Sequence, residues 1–355
     1  MKNVVKMKNI RYLLMVAFVI VALGAQSQHM YPFRKFVDGG YNFWVYTPTN
    51  SADTVDKPLV VFLHGSSLCG SNLDRVRRYG PLNAIEMGMD IDALVLAPQN
   101  SGGAWKPDKV WKVVEWVERH FAVDTNRIYV LGMSLGGYGT IDFTASYPSK
   151  IAAAMALCGG GNNRNLCPLN DVPLWILHGT ADRAVGISQS QRVVDAITSC
   201  RDTANRLIWT RLNGMNHGQL VYAFYMHETY QWLFSHSLAD NGRPVNRNFR
   251  LTPSNMNRSV YRSIRSENRV NVHSEPPERM MAYRTMEADT AVDNDYHATS
   301  KNTTTHGSSK YYIIKKGDNL GSIARRHHTT VKKLCQLNGL GQNTTLRVGR
   351  RIRVK

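Results

Sequence analysis

The sequence predicts an α/β domain with a doubly wound, mostly parallel sheet, followed by a small α+β domain. Two short segments, 59–63 and 93–97, are apolar throughout, which is typical of strands that are buried on both faces of a parallel sheet. Between such segments lie stretches such as 110–121, whose apolar residues recur with the period of a helix. Strands that alternate with helices indicate a sheet that is covered on both faces.

The first 27 residues are predicted to be a secretory signal peptide. Basic residues up to Arg11 precede an apolar run from Tyr12 to Ala25, and small residues occupy positions 25 and 27, where signal peptidase reads the chain. The run is shorter than the roughly 20 residues that a membrane-spanning helix needs. An uncleaved anchor is the alternative. With cleavage we expect no integral membrane anchor and a secreted protein of the periplasm or cell envelope.

Residues 28–240 are predicted to form the larger domain. In chain order its expected elements are opening strands in 35–46, strands at 59–63 and 93–97, a helix at 110–121, a strand at 128–131, a helix at 140–147, strands at 151–157 and 174–177, a helix at 188–199, a strand at 207–212 and a last helix at 222–236.

The remaining chain differs in composition. Residues 241–309 are rich in Arg, Asn, Ser and Thr and show no sustained period, which predicts a mostly disordered linker. Order signals return in 310–355, with a strand, two short helices and a closing strand. This tail has twelve lysines and arginines and one acid, Asp318, so it holds most of the net charge of +18. An anionic polymer or surface is therefore a plausible neighbour. Nucleic acid is not predicted, because no nucleic-acid motif accompanies the charge.

The cysteines fit an exported protein but do not define a framework. Export permits disulfides, and one bridge among the first four cysteines is compatible with the sequence, as are buried free thiols. No cysteine has the spacing of a metal ligand, so we predict no metal site. The five are Cys69, Cys158, Cys167, Cys200 and Cys335.

The segment 132–136 carries the chemistry on which the larger domain depends. It fits Gly-x-Ser-x-Gly between a predicted strand and a predicted helix, the context of a nucleophile elbow. In that turn the serine hydroxyl projects clear of the sheet, and the glycines leave room where chain segments pass closely. Ser134 is therefore the predicted nucleophile; a glycine-rich loop with an idle serine is the alternative.

A serine nucleophile needs a base, and the base needs an orienting acid. In the elbow arrangement the acid and then the histidine follow the serine along the chain, each on a loop after a strand. Asp182 follows the strand at 174–177 and His217 follows the strand at 207–212. They are the predicted acid and base. His178 is a weaker candidate that we expect to pack against or orient the acid loop.

Two backbone amides are expected to stabilise the oxyanion. One is that of Leu135, which follows the nucleophile, and the other comes from the loop after the strand at 59–63. We assign the second donor to Ser66, with Ser67 as the alternative. His64 and Trp105 lie on loops at the same edge and are predicted substrate contacts; the alternatives are that His64 braces its loop and that Trp105 only packs.

Four segments, 63–65, 123–129, 132–137 and 178–182, resemble the α/β-hydrolase superfamily. Within it the chain is similar to the secreted esterases of the feruloyl-esterase and polyhydroxybutyrate-depolymerase type and to the phospholipase/carboxylesterase group. The resemblance implies hydrolysis of carboxylic esters through an acyl-enzyme, without a cofactor. The family usually has a proline at the end of the acid loop, where this chain has Gly186.

Residues 311–355 resemble a LysM module, through the run 311–320 and apolar positions up to Val354. Asn319 replaces the threonine that is usual there. The resemblance implies binding to N-acetylglucosamine chains of peptidoglycan or chitin. The family's sugar contacts come from two loops, and the matching residues are Gly317, Asp318, Asn319 and Leu320 in one and Asn338, Gly339 and Leu340 in the other. The alternative is that these residues only shape the turns.

Together these features predict a secreted serine esterase that is held at a glycan by its tail. A serine peptidase on the same fold is a second hypothesis, which the short insertions disfavour because such peptidases usually carry a large cap or propeller. A catalytically silent glycan-binding envelope protein is the third. The residues leave the acyl and alcohol parts of the substrate open.

Overall fold

The computed structural model describes residues 28–48, 56–200, 206–264, 270–277, 280, 311–314, 318–327, 329–338, 340, 346 and 351–354. The predicted signal peptide lies outside these residues. The chain divides into two compact units, Met1–Arg284 and Thr285–Lys355. No helix within the described ranges is both long and apolar enough to cross a membrane.

The first unit is built on a nine-stranded sheet. Its strands are β1 (Gln28–Phe33), β2 (Asn42–Thr47), β3 (Lys57–Leu63), β4 (Leu94–Gln99), β5 (Val123–Met133), β6 (Ala153–Leu157), β7 (Leu174–Gly179), β8 (Leu207–Leu212) and β9 (Val270–Val272). They lie in the order β8-β7-β6-β5-β3-β4-β2-β1-β9. Strands β3 to β8 pair in parallel, and β2 is antiparallel to both of its neighbours. The sheet is therefore doubly wound and mostly parallel, as predicted, and its order is that of the α/β-hydrolase fold.

Helices cover both faces of this sheet. They are α1 (Pro81–Glu86), α2 (Pro107–His120), α3 (Leu135–Ser146), α4 (Ser188–Thr198), α5 (His227–Phe234) and α6 (Val260–Ser263). In β3, Val60 and Phe62 belong to the core beneath α1 and α5, whereas Leu59 and Val61 belong to the core beneath α2, α3 and α4. Because successive side chains enter opposite cores, the strand is apolar at every position.

Several predicted boundaries differ from the structure. Strand β1, at Gln28–Phe33, precedes the opening strands predicted in 35–46, β5 begins at Val123 rather than at 128, and α3 begins at Leu135 rather than at 140. Strand β4 runs to Gln99, two residues beyond its predicted end at residue 97. The predicted last helix is divided: a 3-10 helix, His217–Tyr225, is followed by extended Met226 and then by α5. Side chains stabilise the break, because the Thr229 hydroxyl donates to the carbonyl of Ala223 at 2.6 Å.

The prediction of a disordered linker from residue 241 is wrong for the described part of that segment. Residues 241–264 lie against the sheet core, where Leu251 and Met256 are buried, and β9 pairs in parallel with β1. Arg247 Nη2 donates to the Leu207 carbonyl of β8 at 3.1 Å. The few apolar residues of the segment are enough to anchor it, because they pack into the core on one face of the sheet and do not have to form a separate core. All of 281–309 lies outside the described residues.

One disulfide joins Cys167 to Cys200. The sequence had left this pairing open. Cys69, Cys158 and Cys335 are free thiols. The bridge ties the 3-10 helix Cys167–Asp171, which precedes β7, to the residues that follow α4.

The second unit has two antiparallel strands, β10 (Tyr311–Ile313) and β11 (Arg351–Arg353), and two helices, α7 (Leu320–Arg326) and α8 (Val331–Asn338). This is the predicted order of elements. Its small core is formed by Ile314, Leu320, Ile323, Leu334, Cys335, Ile352 and Val354.

We predict that Leu251→Ala lowers the free energy of unfolding by about 2–5 kcal/mol, because truncation leaves a cavity in the core under the segment. Arg258→Ala, at an exposed position of the same segment, should change it by no more than about 0.5 kcal/mol. Urea unfolding followed by tryptophan fluorescence measures both. Equal, negligible effects would mean that the segment is not held against the core.

Candidate active site

Ser134 lies at a sharp turn between β5 and α3. Its backbone has φ 60° and ψ −123°, which is strained for a residue with a side chain. A Cβ at Gly136 would lie 1.7 Å from the carbonyl oxygen of Leu63, and one at Gly132 would lie 2.4 Å from that of Gly136. The two glycines are thus required by close contacts between the turn, α3 and the end of β3. This is the geometry that the elbow motif predicts.

Asp182 and His217 meet on the loops that follow β7 and β8. His217 Nδ1 lies 2.7 Å from Asp182 Oδ2. The amides of Ala184 and Val185 both donate to Oδ1 of the same carboxylate, each at 2.9 Å. The Asp182 side chain has no exposed surface, whereas that of His217 is 26% exposed. A carboxylate only accepts, so Nδ1 carries a proton, and in the neutral imidazole Nε2 is left as an acceptor.

Ser134 and His217 both line one cavity of about 780 Å³. Its other walls are mainly apolar and aromatic, and its rim carries one arginine. Besides these two residues and the loop 65–67, the lining consists of Arg78, Tyr79, Asn83, Met87, Met133, Ala184, Val185, Gly218, Val221, Tyr225 and Tyr261. A polar pair within an apolar cavity of this size suits a small organic ligand.

The two predicted oxyanion donors lie at the starts of helical turns. Leu135 is the first residue of α3, and Ser66 is the first residue of the 3-10 turn Ser66–Leu68. Amides at such positions have no partner within their own helix. Ser66 and Ser67 both line the cavity, so the alternative between them stays open.

The loop that contains Ser66 is held by side chains from outside it. Tyr79 accepts a hydrogen bond from the Gly65 amide at 2.8 Å, and Arg75 donates to the Ser67 carbonyl at 2.7 Å. Neither residue was predicted to belong to the site. The sequence offers no motif for them, because both come from the irregular segment between β3 and β4.

The predicted substrate contacts His64 and Trp105 do not reach the cavity; their side chains are buried instead. His64 has no exposed surface, accepts from the Asn100 amide through Nε2 at 3.0 Å and approaches the Gly65 carbonyl through Nδ1 at 2.8 Å. Burial lowers its pKa to about 4, so the imidazole is neutral near pH 7. Trp105 is 3% exposed and donates to the His64 carbonyl at 3.2 Å. Both therefore brace their loops.

His178 lies behind the acid rather than at the cavity. Its Nδ1 is 2.7 Å from Ser190 Oγ, and its Nε2 is 2.9 Å from the Val185 carbonyl and 3.4 Å from Asp182 Oδ2. Burial lowers its pKa. The side chain thus anchors the loop of Asp182, in the orienting role that was expected of it.

Cys158 was not singled out from the sequence. Its sulfur, a carboxylate oxygen of Asp182 and a ring nitrogen of His217 lie within 4.8 Å of one another, a grouping that could hold a metal ion. Burial raises the pKa of this thiol, which has no exposed surface. Metal binding requires the thiolate. The raised pKa therefore favours a neutral thiol that packs against Asp182 over a metal ligand.

Two of the predicted glycan contacts of the second unit, Gly317 and Gly339, lie outside the described residues. Among the others, Asp318 accepts from the hydroxyl of Tyr312 at 2.7 Å, and Asn319 Oδ1 accepts from the Ser322 amide at 2.8 Å at the start of α7. Leu320 is buried in the small core.

The second predicted loop is also tied into the fold. Asn338 donates through Nδ2 to the Arg353 carbonyl and accepts from the Arg353 amide, both at 2.7 Å. Leu340 packs partly buried against the core. The described side chains therefore shape the two turns, and any sugar contact they make comes in addition to that structural role.

Residues 312–355 match the model of the LysM domain. The chain is 27% identical over 168 residues to a bifunctional acetylxylan esterase/xylanase from Neocallimastix patriciarum, over 44% of this chain and 24% of that protein. The chain thus spans about a quarter of the length of this curated relative.

Solved structures with a similar fold include a thermostable esterase, with a TM-score of 0.48 at 24% identity over 59% of this chain and 63% of the other. A feruloyl esterase module from Clostridium thermocellum, in complex with sinapinate, has a TM-score of 0.44 at 15% identity over 56% and 86% of the two chains. The chain thus combines a domain with the sheet order of the α/β-hydrolase fold and a LysM domain at residues 312–355.

Proposed function

We propose that this chain hydrolyses carboxylic esters through an acyl-enzyme, with Ser134 as nucleophile, His217 as base and Asp182 as the orienting acid. One observation carries the proposal: a buried carboxylate holds His217 at 2.7 Å, and His217 shares a cavity with a serine on a strained turn. The partial similarity to an acetylxylan esterase/xylanase supports an ester rather than another substrate.

The reaction would proceed in two stages. His217 Nε2 takes the hydroxyl proton of Ser134 as Oγ bonds to the acyl carbon, and the carbonyl oxygen becomes an oxyanion that the amides of Leu135 and Ser66 stabilise. The C–O bond to the alcohol then breaks, and the alcohol leaves with the proton from His217. Water, deprotonated by the same imidazole, releases the acid and restores Ser134.

The surroundings of Asp182 suit its proposed role. Two amides hold Oδ1, so Oδ2 is directed at the ring of His217. This fixes the ring and its protonated nitrogen, and the negative charge stabilises the imidazolium that forms when Ser134 reacts. The buried position of the carboxylate limits screening of this interaction by water.

We also propose that the LysM domain holds the enzyme at peptidoglycan or a related N-acetylglucosamine polymer, and that the protein is secreted into the periplasm or envelope. The match of residues 312–355 to the LysM model supports the first part. The basic head and apolar run of residues 1–27 support the second.

Ser134→Ala should abolish hydrolysis of p-nitrophenyl acetate, with a loss of roughly 10⁶-fold in kcat, because the acyl-enzyme cannot form. Ser146→Ala, at an exposed position of the same helix, serves as the matched control and should retain activity. Circular dichroism of both variants checks the fold. Wild-type turnover of a casein peptide without any turnover of esters would instead favour the peptidase hypothesis.

Asp182→Asn should lower kcat on the same ester by about 10⁴-fold, because the amide favours the wrong tautomer of His217. The control is Asp195→Asn on α4, an acid outside the cavity, which should leave kcat unchanged. If the two variants had equal activity, Asp182 would not be the orienting acid.

Removal of residues 305–355 should leave turnover of p-nitrophenyl acetate unchanged and abolish sedimentation with peptidoglycan sacculi. Because this region is strongly basic, binding is measured at low salt and at about 0.5 M salt. The distance over which charges attract is about 10 Å at 0.1 M salt and shorter at higher salt, so binding that depends on charge alone weakens. Retention that persists in salt and is displaced by soluble N-acetylglucosamine oligomers indicates glycan recognition. Retention lost in salt alone would contradict it.

A further inference from the structure

The electrostatic character of the cavity adds information about the substrate. We propose that the enzyme acts on esters that carry a negatively charged group, and that Arg78 and Arg183 bind that group at the mouth of the site. This inference rests on the proposed esterase function and extends it to a substrate class.

Arg78 is the cation of the main cavity. It ends the 3-10 helix Leu73–Arg78, is exposed and lines the same cavity as Ser134. Its neighbour Arg77 pairs with Glu86 and Asp74, whereas no carboxylate pairs with Arg78 among the residues that the structure describes. Its guanidinium is thus available to a ligand, and its planar fork suits a carboxylate or phosphate.

Arg183 lies on the other side of the base. It lines a second cavity of about 480 Å³, which shares Ala184, His217 and Gly218 with the first. It is exposed, and it sits between Asp182 and Ala184 on the acid loop. The two cavities therefore meet at His217, with one arginine lining each.

In the part of the chain that the structure describes, no aspartate or glutamate lines either cavity. The acid next to Arg183 along the chain, Asp182, is buried and bound by His217 and two amides. The acids nearest to Arg78 along the chain, Asp74 and Glu86, pair with Arg77. The mouth is therefore cationic, with nothing among its lining residues to neutralise it. A low-dielectric wall beside unpaired cations attracts anions and raises their local concentration.

The rest of the lining defines what the charged group is attached to. Tyr79, Tyr225 and Tyr261 present aromatic surface, and Met133 and Val221 present aliphatic surface. An ester with a compact ring or sugar at the cavity and a carboxylate or phosphate toward the mouth matches this arrangement. A wholly apolar acyl chain would leave both arginines without a partner.

The test uses three acetyl esters of one shape with the full-length protein: 4-acetoxybenzoate, 4-acetoxyphenyl phosphate and the neutral 4-acetoxybenzamide. Release of acetate gives kcat/KM for each. The readout is kcat/KM of each anionic ester divided by kcat/KM of the neutral ester. This ratio is compared between wild type and variant, so that differences between the leaving groups cancel. The anionic ester whose ratio falls more on substitution of the arginines identifies carboxylate or phosphate as the preferred group.

We expect Arg78→Gln to lower the preferred ratio about fivefold, as for a solvent-exposed charge pair, and Arg183→Gln to lower it less. Arg78→Lys should keep part of the preference, because the charge remains. High salt should lower the wild-type ratio as well. Arg119→Gln, an exposed site on α2 that lines neither cavity, is the control and should leave it unchanged.

An unchanged ratio in the double Arg78→Gln, Arg183→Gln variant would overturn the inference while esterase activity itself stood. Calorimetry measures binding of the same three esters to the Ser134→Ala protein. This measurement tests the anion site independently of the proposed ester hydrolysis. Arginine-dependent binding of the anionic esters there, with no ester turnover by the wild type, would uphold the anion site and reject the proposed reaction. Equal binding of all three would reject the site.

Discussion

The close contact between the carbonyl of Leu63 and the backbone of Gly136 determines the geometry of the whole candidate site. A side chain at position 136 would overlap that oxygen, so α3 can begin only where β3 ends. This single contact brings together the strained turn of Ser134 and the loop that contains Ser66. The braces His64 and Trp105 hold the same loop from behind. The proposed nucleophile and its expected oxyanion donors are therefore parts of one packed junction.

A second junction carries the acid and the base. The loops after β7 and β8 each present one residue, and their strands are adjacent and parallel. Because carboxyl ends of parallel strands meet at one edge of the sheet, Asp182 and His217 are neighbours although 35 positions separate them. His178 and Ser190 fix this junction from the interior. Residues of both junctions line a common cavity.

The sequence was informative where local chemistry determines the backbone. The apolar runs identified the parallel strands, and the glycine spacing around Ser134 identified the turn, because each reports a close contact that few residues tolerate. The sequence did not predict the roles of His64 and Trp105. A histidine or a tryptophan suits a binding site and a buried contact that supports a loop equally well, and only the burial of the side chain distinguishes these roles. Arg78, Tyr79 and Tyr261 were missed because they lie in or directly after helical turns too short to show a period, and the positions of such turns depend on tertiary packing. The segment after residue 241 was misjudged for the same reason: its apolar residues are few, and they use a core that other elements form.

That segment also has a bearing on how molecules of this protein behave toward one another. Its strand β9 pairs with the outer side of β1. Its Arg247 side chain donates a hydrogen bond to a carbonyl of β8, at the opposite border of the sheet. Unpaired strand borders are where sheets of separate chains join and aggregate. By covering part of each border, a stretch with the composition of a spacer leaves less of the sheet open to strands of other chains.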